Sequence, residues 1–240
     1  MRLGAVPYLN ALPLCRYLPG PVRFETPAVL ERLMGEGELD AALLPSLAFL
    51  KNPSYHPHFE GGIIGSNGPV ESVTLFLRQG VRDPSAVRSL SLTSDSVTSV
   101  ALLKILFALK WKRPFPSTQT EATSANALLK IGDAALFFDD PAYRAIDLGK
   151  EWTDWTGLPF IYALWVSAKP LLVTPILAKA KKEGLERMEE IIASCRDLPE
   201  ARLRTYLTKS IQYEITPAMQ KGLRLFCEYA LKTGLLRHAG

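Results

Sequence analysis

The chain is poor in the residues that most catalytic and metal chemistry needs. Its 240 residues include three histidines and three cysteines. Cys15, Cys195 and Cys227 are odd in number, far apart and set in apolar stretches, so they read as small buried hydrophobes rather than a disulfide framework or a metal set. His56 and His58 flank Pro57 in an irregular segment and His238 is nearly terminal. No acidic or cysteine complement accompanies them, and a surface loop is favoured over a metal site. GxSxG, GxGxxG and the phosphate-cradling GxxxxGKS or GxxxxGKT patterns are all missing, so no nucleotide cofactor is supported and none is expected. No apolar run approaches the roughly 20 residues of a membrane helix. Met1-Arg2-Leu3-Gly4 runs straight into a strand without the regions of a signal peptide. The expectation is a soluble cytoplasmic protein with no membrane partner.

Charge is similarly unremarkable. The net charge is +4, and the one basic cluster, Lys179 to Lys182, is answered by Glu183, Glu186, Glu189 and Glu190, which excludes a nucleic-acid stripe. With 48% hydrophobic and 22% charged residues, the composition is globular, and the length allows one large domain or two smaller ones. Oligomeric state is not legible.

What is present is a repeat. Asp40-Ala41-Ala42-Leu43 and Asp133-Ala134-Ala135-Leu136 each follow a helix-like stretch and lie downstream of a strand that runs into a polar helix start. Those pairs are Leu3 to Val6 with Tyr8-Leu9-Asn10, and Leu90 to Thr93 with Ser96 to Ser99. Two such units imply two lobes around a cleft. Helix starts presenting free N–H groups would make that cleft prefer an anion.

The patterning predicts helices over Pro27 to Met34, Val97 to Leu109 and Ser124 to Lys130, and strands over Asp40 to Leu44, Val73 to Leu77, Ala134 to Phe138 and Phe160 to Val166. Ser46 to Leu50 reads as a helical turn and Lys51 to Gly62 as irregular surface. Beyond Pro175 the chain is helical, with one stripe through Leu177, Ala180, Met188, Ile191, Ile192 and Cys195, a second helix over Leu203 to Ile211, and a third carrying Met219, Leu223, Phe226 and Ala230. Alternating strands and helices give an α/β fold of mostly parallel sheets. The expected division is a discontinuous lobe of residues 1–77 and 166–240 and an inserted lobe of residues 78–165. Val73 to Leu77 and Phe160 to Val166 would cross between them as a hinge.

Candidate site residues follow from strand ends. Asn10 is either a plain helix cap or a ligand contact, or both, since its amide donates and accepts. Tyr8 beside it either walls the cleft or packs in the core. Ser66, Gly68 and Ser72 lie on the loop before the first crossing strand, where a turn needing Gly68 is the simpler reading. Thr98 and Ser99, with Ser94 and Ser96, gather hydroxyls at a helix start suited to a carboxylate. Asp139-Asp140 is the best acidic pair, or only a solvated turn before Pro141. Trp152, Trp155, Phe160, Tyr162 and Trp165 read first as core and hinge packing, and second as a rim excluding water from a ring-shaped ligand.

Several of these segments together resemble a known family. Leu3-Gly4-Ala5-Val6-Pro7-Tyr8-Leu9-Asn10-Ala11-Leu12-Pro13-Leu14 is similar to the opening of the chorismate dehydratases of the futalosine route to menaquinone. The run Asp40 to Ser46, Gly68 to Val73, Thr98 to Leu102, Ile131 to Leu136, Asp147-Leu148-Gly149 and Trp155 to Phe160 follow in the same order, from residue 3 to about 165. The resemblance implies a two-lobed fold like the type II periplasmic solute-binding proteins, with a ligand cleft between lobes. It implies loss of water from chorismate, a small dicarboxylate, to give 3-(1-carboxyvinyloxy)benzoate. Asn10 and Ser72 match the family's active-site pair, and Tyr8, Ser46, Ser66, Gly68, Thr98, Ser99 and Asp140 are taken as substrate-binding. The sister enzyme that makes 1,4-dihydroxy-6-naphthoate, and a non-catalytic binder of small carboxylates, are the alternatives. The former depends on a histidine base, and none of the three histidines here lies in a matching motif. A ligand-sensing domain of a transcription regulator is a third alternative, disfavoured because no DNA-reading helix pair is read ahead of the first lobe.

Overall fold

Strands that are apolar throughout mark the middle of each sheet, because only a strand covered on both faces can be uniformly hydrophobic. The computed structural model describes residues 1–92, 97–119, 121, 124–170 and 172–237. Thr93, Ser94, Ser96 and His238, named above, lie outside the described residues. In chain order the strands are β1 (Leu3–Ala5), β2 (Val22–Phe24), β3 (Ala41–Pro45), β4 (His56–Pro57), β5 (Ile63–Ser66), β6 (Val73–Arg78), β7 (Ser89–Leu92), β8 (Ser117–Gln119), β9 (Ala127–Ile131), β10 (Tyr143–Asp147) and β11 (Phe160–Ser167). Every residue of β3 and β11 is buried.

Two sheets result. In the first the order is β2-β1-β3-β11-β4, with β5 also on β11; in the second it is β10-β6-β9-β7-β8. β1 runs parallel to β2 and β3, while β11 runs antiparallel to β3, β4 and β5. In the second sheet β7 is parallel to β8 and β9, and β6 is antiparallel to β9 and β10. The chain therefore changes sheets between Ser66 and Val73 and again between Asp147 and Phe160. The strands expected to bridge the two halves do not do so: β6 lies wholly in the second sheet and β11 wholly in the first, so the divisions at 77/78 and 165/166 fall inside strands.

The helices are α1 (Leu12–Cys15), α2 (Pro27–Gly35), α3 (Ser46–Lys51), α4 (Val97–Ile105), α5 (Asp133–Leu136), α6 (Leu148–Thr156), α7 (Thr174–Glu186), α8 (Met188–Ser194), α9 (Glu200–Thr205) and α10 (Pro217–Lys232). Their ends carry recognisable signals. Pro27 and Pro217 sit in first turns, where a missing N–H costs nothing. The Thr216 hydroxyl accepts the Met219 N–H at 3.1 Å, and Asp147 caps α6, which stops at Gly157 with φ +70°. The last two turns of the α4 and α9 segments widen into π-helical stretches, Leu106–Lys110 and Tyr206–Ser210.

Three expectations are corrected. The second Asp-Ala-Ala-Leu is the helix α5, not a strand, and the strand is β9 in the segment expected to be helical. Gly132, at φ +56°, breaks the strand and turns the chain into α5, and β9 is buried between β6 and β7. Asn10 is no cap: it sits inside a 3₁₀ turn, Leu9–Ala11, whose cap position is Tyr8 with no side-chain bond. The stripe from Leu177 to Cys195 belongs to two helices, broken at Arg187 (φ −104°, ψ 29°). Of the aromatic group, Trp152, Phe160 and Trp165 are core, with Trp152 edge-on to Phe160 and Phe226.

His58 is a further correction, since it is buried rather than on a surface loop. Its Nε2 meets Ser167 Oγ at 2.7 Å, and that hydroxyl donates to the Lys169 carbonyl at 2.6 Å. Nε2 therefore carries the proton and Nδ1 accepts from Thr174 Oγ1 at 2.7 Å. Burial, helped by nearby His56, lowers the His58 pKa below 6.5. The unfolded chain then binds the extra proton first, so this contribution to stability is complete above about pH 6.5 and is lost as pH falls below it. Urea midpoints at pH 7.5 and 5.5 are expected to differ more for the wild type than for His58→Gln; equal differences would refute the assignment.

Candidate functional site

The pocket that gathers the sequence candidates lies where the carboxyl ends of β1, β3 and β9 meet the start of β6, in keeping with the strand-end rule for α/β sheets. A cavity of about 60 Å³ is lined by Val6, Tyr8 and Asn10 after β1, Pro27 of α2, Pro45 of β3 and Ile64 of β5. Ser72 and Val73 at the start of β6, Ser99 of α4, Ile131 and Gly132 after β9, and Tyr162 and Ala163 of β11 complete it. The wall is mostly aliphatic with two phenol rings, and no side chain in this lining is charged. Such a surface suits a small ring held by few polar contacts.

The two halves meet tightly here. A Cβ built on Gly132 would stand 2.8 Å from the Tyr8 ring, and Gly132 has positive φ as well, so glycine is required twice over. The Leu9 N–H donates to Asp133 Oδ1 at 3.2 Å. Burial raises the Asp133 carboxyl above its ordinary value, against the lowering effect of that N–H. The first helix start is thus already paired, and it is a single 3₁₀ turn; the expected pair of free helix starts is not formed on this side. Across the same seam the Leu47 N–H donates to Thr98 Oγ1 at 3.0 Å.

Asn10 is 6% exposed. Its Nδ2 donates to the Tyr206 hydroxyl at 2.8 Å, while its Oδ1 is buried with no hydrogen-bond partner among the described residues. A buried acceptor left open costs about 1–3 kcal/mol, which a ligand hydroxyl would recover. Tyr206 is fully buried, and burial drives its phenol far above the ordinary tyrosine value, with neighbouring Ser72 and Asn10 offsetting part of the rise. Ser72 Oγ makes a long contact to the Val70 carbonyl, 3.4 Å, and also hydrogen-bonds the Tyr206 hydroxyl, so Asn10 and Ser72 meet on one phenol while both line the pocket.

Of the residues singled out from the sequence, the lining takes in Tyr8, Asn10, Ser72 and Ser99, together with Tyr162 of the aromatic group. The others do not line it. Ser46 Oγ donates to the Ile161 carbonyl at 2.7 Å. Ser66 Oγ joins the Gly68 carbonyl and the Tyr162 hydroxyl, each at 3.1 Å. Gly68, at φ +107°, turns the chain and donates to Thr153 Oγ1 at 3.0 Å. Thr98 serves the first turn of α3. Asp140 is exposed and accepts the Ala142 N–H at 2.9 Å, the solvated-turn reading of that residue. Among the described residues no three His, Cys, Asp or Glu side chains gather as a metal site, and no helix is long and apolar enough to cross a membrane.

A family model described as menaquinone biosynthesis matches residues 1–232. The chain belongs to this family. Among curated relatives, a chorismate dehydratase of Thermus thermophilus is 30% identical over 94% of the chain and 93% of that protein. One of Campylobacter jejuni is 26% identical over 94% and 96%. The fold is that of periplasmic binding proteins. A protein of Archaeoglobus fulgidus superposes with a TM-score of 0.76 at 15% identity, covering 98% of both chains. The periplasmic aliphatic sulphonate binding protein of Escherichia coli gives 0.62 at 14%, covering 98% of this chain and 88% of its own.

Within this member of the menaquinone biosynthesis family, Tyr206 is the residue that sequence reading missed. It lies in a π-helical stretch of the C-terminal segment, about 200 residues from Asn10, and nothing in the run Arg204-Thr205-Tyr206-Leu207-Thr208 marks it for so distant a partner. Tyr206→Phe strands the Asn10 amide and is expected to lower the unfolding free energy by about 1–3 kcal/mol in denaturant titrations. Pairing it with Asn10→Leu, which removes the stranded group, should restore part of that loss. Full additivity of the two substitutions would contradict the coupling.

Proposed function

We propose that the chain is a chorismate dehydratase, a carbon–oxygen lyase that removes water from chorismate to give 3-(1-carboxyvinyloxy)benzoate. The observation that carries the reading is the open Asn10 Oδ1 beside the Ser72 hydroxyl, an acceptor and a donor in one apolar pocket. A substrate hydroxyl satisfies both at once: it donates its hydrogen to Asn10 Oδ1 while its oxygen accepts from Ser72. As the ring C–O bond breaks, negative charge grows on that oxygen, and the Ser72 proton stabilises it. The ring proton is lost from carbon, its electron pair completes the benzene ring, and hydroxide leaves with a proton as water.

Aromatisation supplies the driving force, so the protein's work is orientation. The lining offers no histidine, carboxylate or amine as base, and Asp140 is in solvent; the side-chain carboxylate of chorismate is the base we assign. We assign a carboxylate of the substrate to the first turn of α4, where Ser99 lines the pocket. The naphthoate-forming sister reaction is disfavoured by the same lack of a histidine in the lining. A purely binding role is disfavoured by the two dehydratase relatives that match nearly end to end.

Purified protein incubated with chorismate is expected to bleach the diene absorption as the benzoate product accumulates. Asn10→Ala and Ser72→Ala should each lower kcat by about 100-fold or more with native circular dichroism. Chorismate left intact by the wild type, or unchanged turnover in both variants, would overturn the reading.

A further inference from the structure

The loop that delivers Ser72 is strained. Glu71 holds φ +62°, a left-handed backbone that a residue with a side chain keeps only when its surroundings impose it. The Ser72 N–H donates back to the Val70 carbonyl at 2.7 Å, so residues 70–72 form a γ-turn of the rare hand. This turn stands where the chain first passes from one sheet to the other, and its last residue lines the pocket.

One carboxylate clamps it. Asp147 Oδ2 accepts the N–H groups of Glu71 at 2.6 Å and Val70 at 3.0 Å. Its Oδ1 accepts those of Lys150 at 2.9 Å and Val70 at 3.1 Å. Asp147 ends β10 and begins α6, where the chain starts its return to the first sheet. Both crossings therefore meet on a single side chain. On the far side of the turn, Thr74 Oγ1 donates to the Glu71 carbonyl at 2.9 Å, the Ser210 hydroxyl donates to the Glu71 carboxylate, and the Gly132 N–H donates to the Ser72 carbonyl at 2.8 Å. Burial raises the Asp147 carboxyl above the ordinary aspartate value, and the backbone donors at Lys150, Glu71, Val70 and Gly149 pull against that rise. Capping α6 requires only the bond to Lys150. The bonds to Val70 and Glu71 are additional, and they fall on the strained residues.

We infer that Asp147, which does not line the pocket, is a positioning residue: it holds the 70–72 turn in its left-handed form and so aims the Ser72 hydroxyl at the leaving group. The inference rests on the role given to Ser72 above. A carboxylate is needed because both of its oxygens face N–H donors. An asparagine of the same size must turn its own NH2 toward one of those sets, meeting donor with donor.

Asp147→Asn, alone and combined with Ser72→Ala, tests this. Alone it is expected to lower kcat for chorismate loss by 10- to 100-fold, the usual consequence of a small misplacement, with KM changed less than threefold. In the Ser72→Ala background it should change kcat less than twofold, because there is no hydroxyl left to aim. Amide exchange at Val70, Glu71 and Ser72 should quicken at least tenfold in Asp147→Asn. Equal losses in both backgrounds, or unchanged exchange, would overturn the assignment. A wild type that leaves chorismate intact removes the proposed activity instead, and the exchange comparison then decides alone whether the turn depends on Asp147.

Discussion

A buried amide must be paired on both of its sides, and Asn10 is paired on one. Tyr206 takes its Nδ2 and no described protein group takes its Oδ1. In an apolar pocket an acceptor unmet by protein groups is expensive. The remaining features of the site follow from keeping that half-paired amide in place. Tyr206 is brought in from the C-terminal helices, Gly132 gives up a side chain so that Tyr8 can close over it, and the Ser72 hydroxyl is set alongside as the complementary donor.

Keeping the amide in place also requires the two sheets to stay in register. Bonds between them run both ways: the Leu9 N–H to Asp133, the Leu47 N–H to Thr98, and the Arg202 guanidinium to the Leu136 carbonyl at 2.7 Å. These are side-chain to backbone bonds, which fix orientation better than flexible surface ion pairs do. Thr98, Asp133 and Arg202 are therefore spent on holding the halves together. The pocket itself is left with hydroxyls, one amide and aliphatic walls, which suits a reaction in which the substrate aromatises and needs orientation more than acid or base.

Much of this was legible in the sequence, and the misses have physical causes. Strands β1, β3 and β11 and helices α2, α4 and α10 announce themselves through apolar runs or helical spacing, and the location of a site at strand ends led to Asn10, Tyr8, Ser72 and Ser99. The repeat of Asp-Ala-Ala-Leu misled because four residues are too few for their propensity to decide and take their conformation from context: Pro45 ends a buried strand after the first copy, whereas Gly132 turns the chain before the second. Edge strands β2 and β10 carry exposed Arg23, Phe24, Arg144 and Ala145, which blurs the period-two signal. Hydroxyls were over-read as ligand groups, since Ser46, Ser66 and Thr98 satisfy backbone or neighbouring hydroxyls instead. Tyr206 and Asp147 were under-read because each acts on residues far away in sequence, and no local pattern records such a bond.

The most direct measurement of the central claim is a crystal structure of Ser72→Ala, with turnover suppressed, soaked in chorismate. The account predicts the ring between Tyr8 and Tyr162, with its hydroxyl within hydrogen-bond distance of Asn10 Oδ1. A ring bound elsewhere, or one whose hydroxyl faces the aliphatic wall at Val6 and Ile64 while Oδ1 stays unpaired, would contradict it.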